Sequence, residues 1–136
     1  MTGRASIACG LCALLLSACG AHSDTEQIRA VVRAFGHALA VGDVGRACSL
    51  LTPEAKRQML EQPAADVLGA HDCPAFVAAA RRMLDDTHLA DFERVDVVDV
   101  KITGDRATVT LNVGDTDHTS HRTRLRKVDG KWLAEL

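Results

Sequence analysis

Apolar residues Ile28, Val31, Val32, Phe35 and Leu39 recur at helical spacing and fall in one narrow sector, which predicts an amphipathic helix packed on a core. Ser23 and Glu26, or Asp24 and Gln27, stand at capping-box spacing at its start, and Gly42 is placed to end it. Asp43 caps a second short helix whose apolar face is Val44, Ala47, Cys48 and Leu51. Thr52-Pro53-Glu54 reads as N-cap, N1 proline and first-turn acid of a third helix, to about Glu61. Residues 62 to 72, holding Pro63 and Gly69, read as loop or broken helix. From Pro74 to about Asp85, Phe76, Val77, Ala80, Met83 and Leu84 share a face, which predicts a further helix.

The period then changes to two. Val98, Val100 and Ile102 alternate with Asp99 and Lys101, Gly104-Asp105 turns the chain, and Ala107, Val109, Leu111 and Val113 alternate with Thr108, Thr110 and Asn112. Residues 119 to 128 make a third strand, and Asp129-Gly130 is a type I′ hairpin signal leading into a fourth, residues 131 to 136. Helices followed by an antiparallel meander predict an α+β fold, with the helices on one face of a curved sheet.

The first 24 residues change the picture, because they lack this patterning. Met1 to Arg4 carries one positive charge, and Ala5 to Leu16 is a run of apolar or small residues, short of the roughly 20 needed to span a bilayer. The run closes on Leu16-Ser17-Ala18-Cys19, which resembles a bacterial lipoprotein signal. The resemblance implies removal of residues 1 to 18, a diacylglycerol on the Cys19 thiol, a short tether over residues 19 to 24, and a domain over 25 to 136. It also implies a place, the extracytoplasmic side of a cell membrane, with the membrane as a partner through the anchor.

Of five cysteines, Cys9 and Cys12 then fall in the signal and Cys19 carries lipid. Cys48 and Cys73 remain, on different predicted helices. In an oxidising compartment they read as a disulfide, against a pair of buried thiols.

Removing 18 of 136 residues leaves one domain's worth of chain, with 15 basic and 18 acidic residues. That balance gives no bulk attraction for nucleic acid. One tryptophan, three phenylalanines and no tyrosine leave little for a stacking platform.

Phe35-Gly36-His37-Ala38-Leu39-Ala40-Val41-Gly42-Asp43 and Arg46-Ala47-Cys48-Ser49-Leu50-Leu51-Thr52-Pro53-Glu54 resemble the first helices of small exported proteins of the nuclear transport factor 2-like (NTF2-like), cystatin-like cone superfamily. Gly104-Asp105-Arg106-Ala107-Thr108-Val109 and Leu125-Arg126-Lys127-Val128-Asp129-Gly130-Lys131-Trp132 resemble its sheet. Enzymes of that superfamily work inside the cone with Asp, His, Tyr or Arg on inward positions. Here the inward parity holds Val98, Val100, Ile102, Ala107, Val109, Leu111, Val113, Thr123 and Leu125, with His121 as its one ionisable group. A lone histidine lacks the positioned partner that acid–base chemistry needs, and without tyrosine the isomerases' oxyanion hole cannot be built.

The reading is therefore a non-enzymatic binding or accessory domain, with no catalytic residue and no cofactor. Its alternatives are a carrier or sensor of a small apolar ligand, lined by Val98, Val109, Leu111, Leu125 and His121, and a small hydrolase or isomerase using His121. An envelope protein is the remaining candidate partner. His37 is expected to face water, and Asp72 to cap the helix after it. Asp115, Asp117, His118 and His121 lie close in sequence, but His118 and His121 point to opposite faces of a continuous strand, so no metal site is assigned. Arg122, Arg124 and Arg126 share one strand face, read as a solvated outer surface or as contact with an anionic partner or membrane.

Overall fold

The structure is a computed structural model that describes residues 23 to 114 and 120 to 135. Cys19 and the 115 to 119 segment, with Asp115, Asp117 and His118, lie outside the described residues.

Six helices precede four strands: α1 (Asp24–Val41), α2 (Val44–Ser49), α3 (Pro53–Glu61), α4 (Pro63–Leu68), α5 (Cys73–Arg82), α6 (Asp86–Glu93), β1 (Val95–Thr103), β2 (Arg106–Val113), β3 (His121–Val128) and β4 (Lys131–Glu135). The strands form one antiparallel meander in the order β1-β2-β3-β4, so the fold is α+β, as the patterning predicts.

Local chemistry accounts for most boundaries. The Ser23 hydroxyl accepts from the Glu26 amide, and the Glu26 carboxylate accepts from the Ser23 amide at 3.1 Å, completing the capping box. Gly42 ends α1 at φ 80°, where a Cβ is strained. Asp43, Thr52 and Asp72 accept from the amides of Arg46, Ala55 and Ala75, capping α2, α3 and α5. Arg81 of α5 donates to the carbonyls of Leu39 and Ala40, both at 2.8 Å, and so supplies the cation that the last turn of α1 lacks. Asp129 and Gly130 both have positive φ, as the hairpin signal requires.

α1 divides the interior into two cores. Ile28 and Val32, on its first half, pack with Val97, Ala107, Val109, Leu111, Leu125 and Trp132 of the sheet. Ala38, on its second half, packs with Ala47, Cys48, Leu51, Ala55, Met59, Cys73 and Val77. The apolar stripe of α1 suggests that Phe35 and Leu39 pack on the strands with Ile28 and Val32, but they join this second cluster instead. Between the cores, Leu50 and Thr52 exchange backbone bonds with Ala134 and so cover the β4 edge.

The structure adds to or corrects the sequence reading at four further stretches. Residues 63 to 68 form a helix, α4, started by Pro63 and stopped by Gly69 in the left-handed conformation. α6 occupies a stretch to which the sequence pattern assigns no element; it buries none of its side chains, so it carries no apolar stripe to detect. α5 stops at Arg82, leaving Met83 75% exposed and Leu84 partly exposed. Finally, β1 begins at Val95 and its register slips: Val97 faces Leu111, Asp99 faces Thr110, and Val98 has no partner. One extra residue in a strand inverts the alternation. Val95 and Val97 point inward before the bulge, Val100 does so after it, and Val98 is expelled to 53% exposure.

Candidate functional site

The inner face of the sheet is filled. Val109 and Leu125 are fully buried and Leu111 nearly so, each against α1 or a neighbouring strand. Trp132 closes the β4 side, its indole N–H donating to Asp24 Oδ1 at 2.9 Å. Lys127, paired with Trp132 across the hairpin, donates to the same oxygen at 2.8 Å and lies 5.7 Å from the indole centroid. These bonds, the Lys127 one foremost, hold the Asp24 carboxyl below its ordinary value. The start of α1 is thus clipped to the β3–β4 hairpin. Nothing in the sequence pattern marks that clip except that a buried indole N–H needs an acceptor.

Of the residues read as lining a ligand cleft, Val109, Leu111 and Leu125 share this face, but as packed core and not as a cavity wall. Val98 does not join them. His121 faces Leu111 at the start of β3 and is exposed.

The other histidines with described partners are tied up locally at the surface. His37 Nδ1 lies 3.0 Å from both Glu93 oxygens, linking α1 to α6. His88 Nδ1 lies 2.8 Å from Asp85 Oδ1, and the His88 amide, followed by its ring, lowers the Asp85 pKa. Asp72, next to His71, caps α5 as expected. Among the described residues, no group of three His, Cys, Asp or Glu side chains could hold a metal ion, and no helix is long and apolar enough to cross a membrane.

Cys48 and Cys73 are joined, with S–S 2.01 Å and Cα atoms 6.0 Å apart. The bridge ties α2 to the first turn of α5 inside the second core.

The polar concentration lies on the outer face. Register places Lys101 beside Thr108 and Thr108 beside Arg124; Thr103 beside Arg106 and Arg106 beside Arg126; and Thr110 beside Arg122. Short threonines on β2 thus run between long cationic side chains on β1 and β3. They form a trough of about 350 Å³ lined by Lys101, Thr103, Arg106, Ala107, Thr108, Thr110 and Arg122. None of these side chains is a carboxylate or an imidazole, so the trough offers hydrogen-bond donors and positive charge, suited to holding an oxyanion. The arginine stripe of β3 is legible in the sequence; its β1 and β2 partners are not, because they depend on hairpin register.

No family model and no curated protein matches the chain. Among solved structures, it is similar to a protein from Campylobacter jejuni whose name suggests an NTF2-like transpeptidase. The two are 19% identical, the likeness covers 84% of this chain and 99% of that one, and the TM-score is 0.48.

Proposed function

We propose that the protein is a lipid-anchored lipoprotein of the cell envelope, whose NTF2-like α+β domain works by surface contact as a binding or accessory module and not as an enzyme. The observation that carries the second half is the filled inner face: Ile28, Val32 and Trp132 occupy the side of the sheet where a cone would open. A carrier of an apolar ligand needs that space, and a hydrolase or isomerase using His121 needs an acid beside it in a cleft. The anchor rests on Leu16-Ser17-Ala18-Cys19 and on the pairing of Cys48 with Cys73, which leaves Cys19 as the one cysteine outside both the signal and the bridge.

Mass spectrometry of the protein extracted from its own envelope tests both halves. The expected species begins at Cys19, carries acyl chains there, and loses them in Cys19→Ala. It holds no stoichiometric noncovalent lipid or sterol. A non-acylated chain overturns the anchor; an apolar molecule released only on unfolding overturns the filled-core reading.

A further inference from the structure

Among the described residues, the outer sheet face carries six cations, Lys101, Arg106, Arg122, Arg124, Arg126 and Lys131, and three side-chain carboxylates, Asp96, Asp99 and Glu135. The chain as a whole has more acids than bases, so positive charge is segregated onto this one face. Two of the carboxylates meet cations only at long range, Asp99 with Lys101 and Glu135 with Arg126, both at 3.9 Å. Moreover, Arg106 and Arg126 stand directly opposite each other in register. Like charges in that position oppose strand pairing, and an anion lying across them removes the penalty.

The place where the described chain begins says which anion is near. Asp24 is bonded to Lys127 and Trp132, so the described chain begins at the β3–β4 hairpin, on the opposite face of the sheet from the neighbouring Arg126 and Lys131. Ser23 stands four positions after Cys19, and an extended chain spans at most about 14 Å over that length. The hairpin is then held within about two Debye lengths of the headgroups at physiological salt.

We propose that the outer face of the sheet docks on the anionic phospholipid surface to which the protein is anchored, with headgroup phosphates seated in the trough between Lys101, Arg106 and Arg122. The proposal rests on the lipid-anchor reading given above. Threonine hydroxyls at 103, 108 and 110 donate to phosphate oxygens alongside the cations, and the filled inner core keeps the sheet a rigid platform. Docking turns the helical side away from the membrane.

Lysine acylation reads this directly, because the chain has four lysines and they report different sites. Lys101 and Lys131 lie on the outer face, Lys56 lies on α3, and Lys127 is engaged by Asp24. With the envelope-purified protein on phosphatidylglycerol vesicles, Lys101 and Lys131 should react about five-fold or more slowly than on phosphatidylcholine, given the attraction of each surface cation to an anionic leaflet. Lys56 should be unchanged, and high salt should restore reactivity. Arg106→Gln with Arg122→Gln should abolish the protection, whereas Arg57→Gln on α3 should not.

Equal reactivity of Lys101 on both vesicles, with acylated Cys19 confirmed by mass, overturns docking and leaves the anchor standing. A chain without lipid at Cys19 overturns the anchor, and protection of Lys101 by added phosphatidylglycerol vesicles then upholds docking by itself. Protection by soluble polyglutamate or polyphosphate but not by vesicles overturns the membrane as occupant.

Discussion

Ile28 and Val32, on the first half of α1, pack on branched aliphatics from the strands, whereas Ala38, on its second half, packs among Ala47, Ala55, Leu51, Met59, Val77 and a cystine. The sheet core buries many methyl and methylene groups per residue, and its stability follows from apolar area and register. The helical core brings backbones close at Ala38, Ala47 and Ala55, around the buried side chains of Leu51, Met59 and Val77. There the Cys48–Cys73 bridge adds a covalent restraint between α2 and α5 to their apolar packing. One domain therefore uses two means of cohesion, joined by a single helix.

The comparison breaks most sharply at Leu125, fully buried between β2 and β4. Leu125→Ala removes its packing on a rigid sheet and should cost about 2 to 5 kcal/mol in urea unfolding, followed through Trp132 in the same core. Ala55→Gly in the helical core removes one methyl and should cost about 1 kcal/mol, mostly through helix propensity. Equal losses at the two sites would show that the cores are not differently held.

Removing the bridge should have the next largest effect. Cys48→Ala with Cys73→Ala opens a loop of 25 residues' separation and should lower stability by about 3 kcal/mol in the chain-entropy account. Peptide mapping of the oxidised protein should recover one linked pair and no alkylatable thiol at either position. If reduction leaves the unfolding midpoint unchanged, the alanine-rich core stands by packing alone.

The same contrast explains what the sequence reveals. Caps are local, so Ser23, Asp43, Thr52 and Asp72 are readable as helix starts, and Asp129-Gly130 as a hairpin, without knowledge of the rest of the chain. The bulge at Val98 is not readable, because valines at 95, 97, 98 and 100 fit either phase of a strand and only pairing with Leu111 and Thr110 chooses between them. α6 is invisible for the opposite reason. It lies on α1 through the backbone near Phe92, where a Cβ on Gly36 would come within 2.5 Å of the Phe92 carbonyl oxygen. A helix docked over a glycine needs no apolar stripe of its own. The outer trough is half legible, since the β3 arginines alternate visibly while Lys101, Arg106 and the threonines join them only through register.

Acid should separate the cores in a smaller way. Because folding lowers the Asp24 pKa from its ordinary 3.8, its contribution is whole above that value and is lost as pH falls through the folded value. Below pH 3.8 the bonds from Lys127 and Trp132 to the carboxylate should weaken, with a change in Trp132 emission before global unfolding. Asp24→Asn should remove that early acid step. An identical acid profile in the variant would show that the clip adds nothing to the sheet side.

The smallest effect is expected at His121, which shares the parity of Leu125 yet differs from it in everything that decides energetics. Leu125 sits mid-strand with partners on both sides, Ala107 and Ala134. His121 is the first residue of β3, paired only with Leu111, and exposed. Truncating an exposed side chain at a strand end forfeits few contacts, so His121→Ala should change stability by under about 1 kcal/mol. Because the inner face beyond it is filled, it should also leave any measured activity of the protein unchanged. Loss of a hydrolase or isomerase activity in His121→Ala, with circular dichroism and the Trp132 signal intact, would mean that the end of the sheet performs chemistry. The division between a packed inner face and a working outer one would then be wrong.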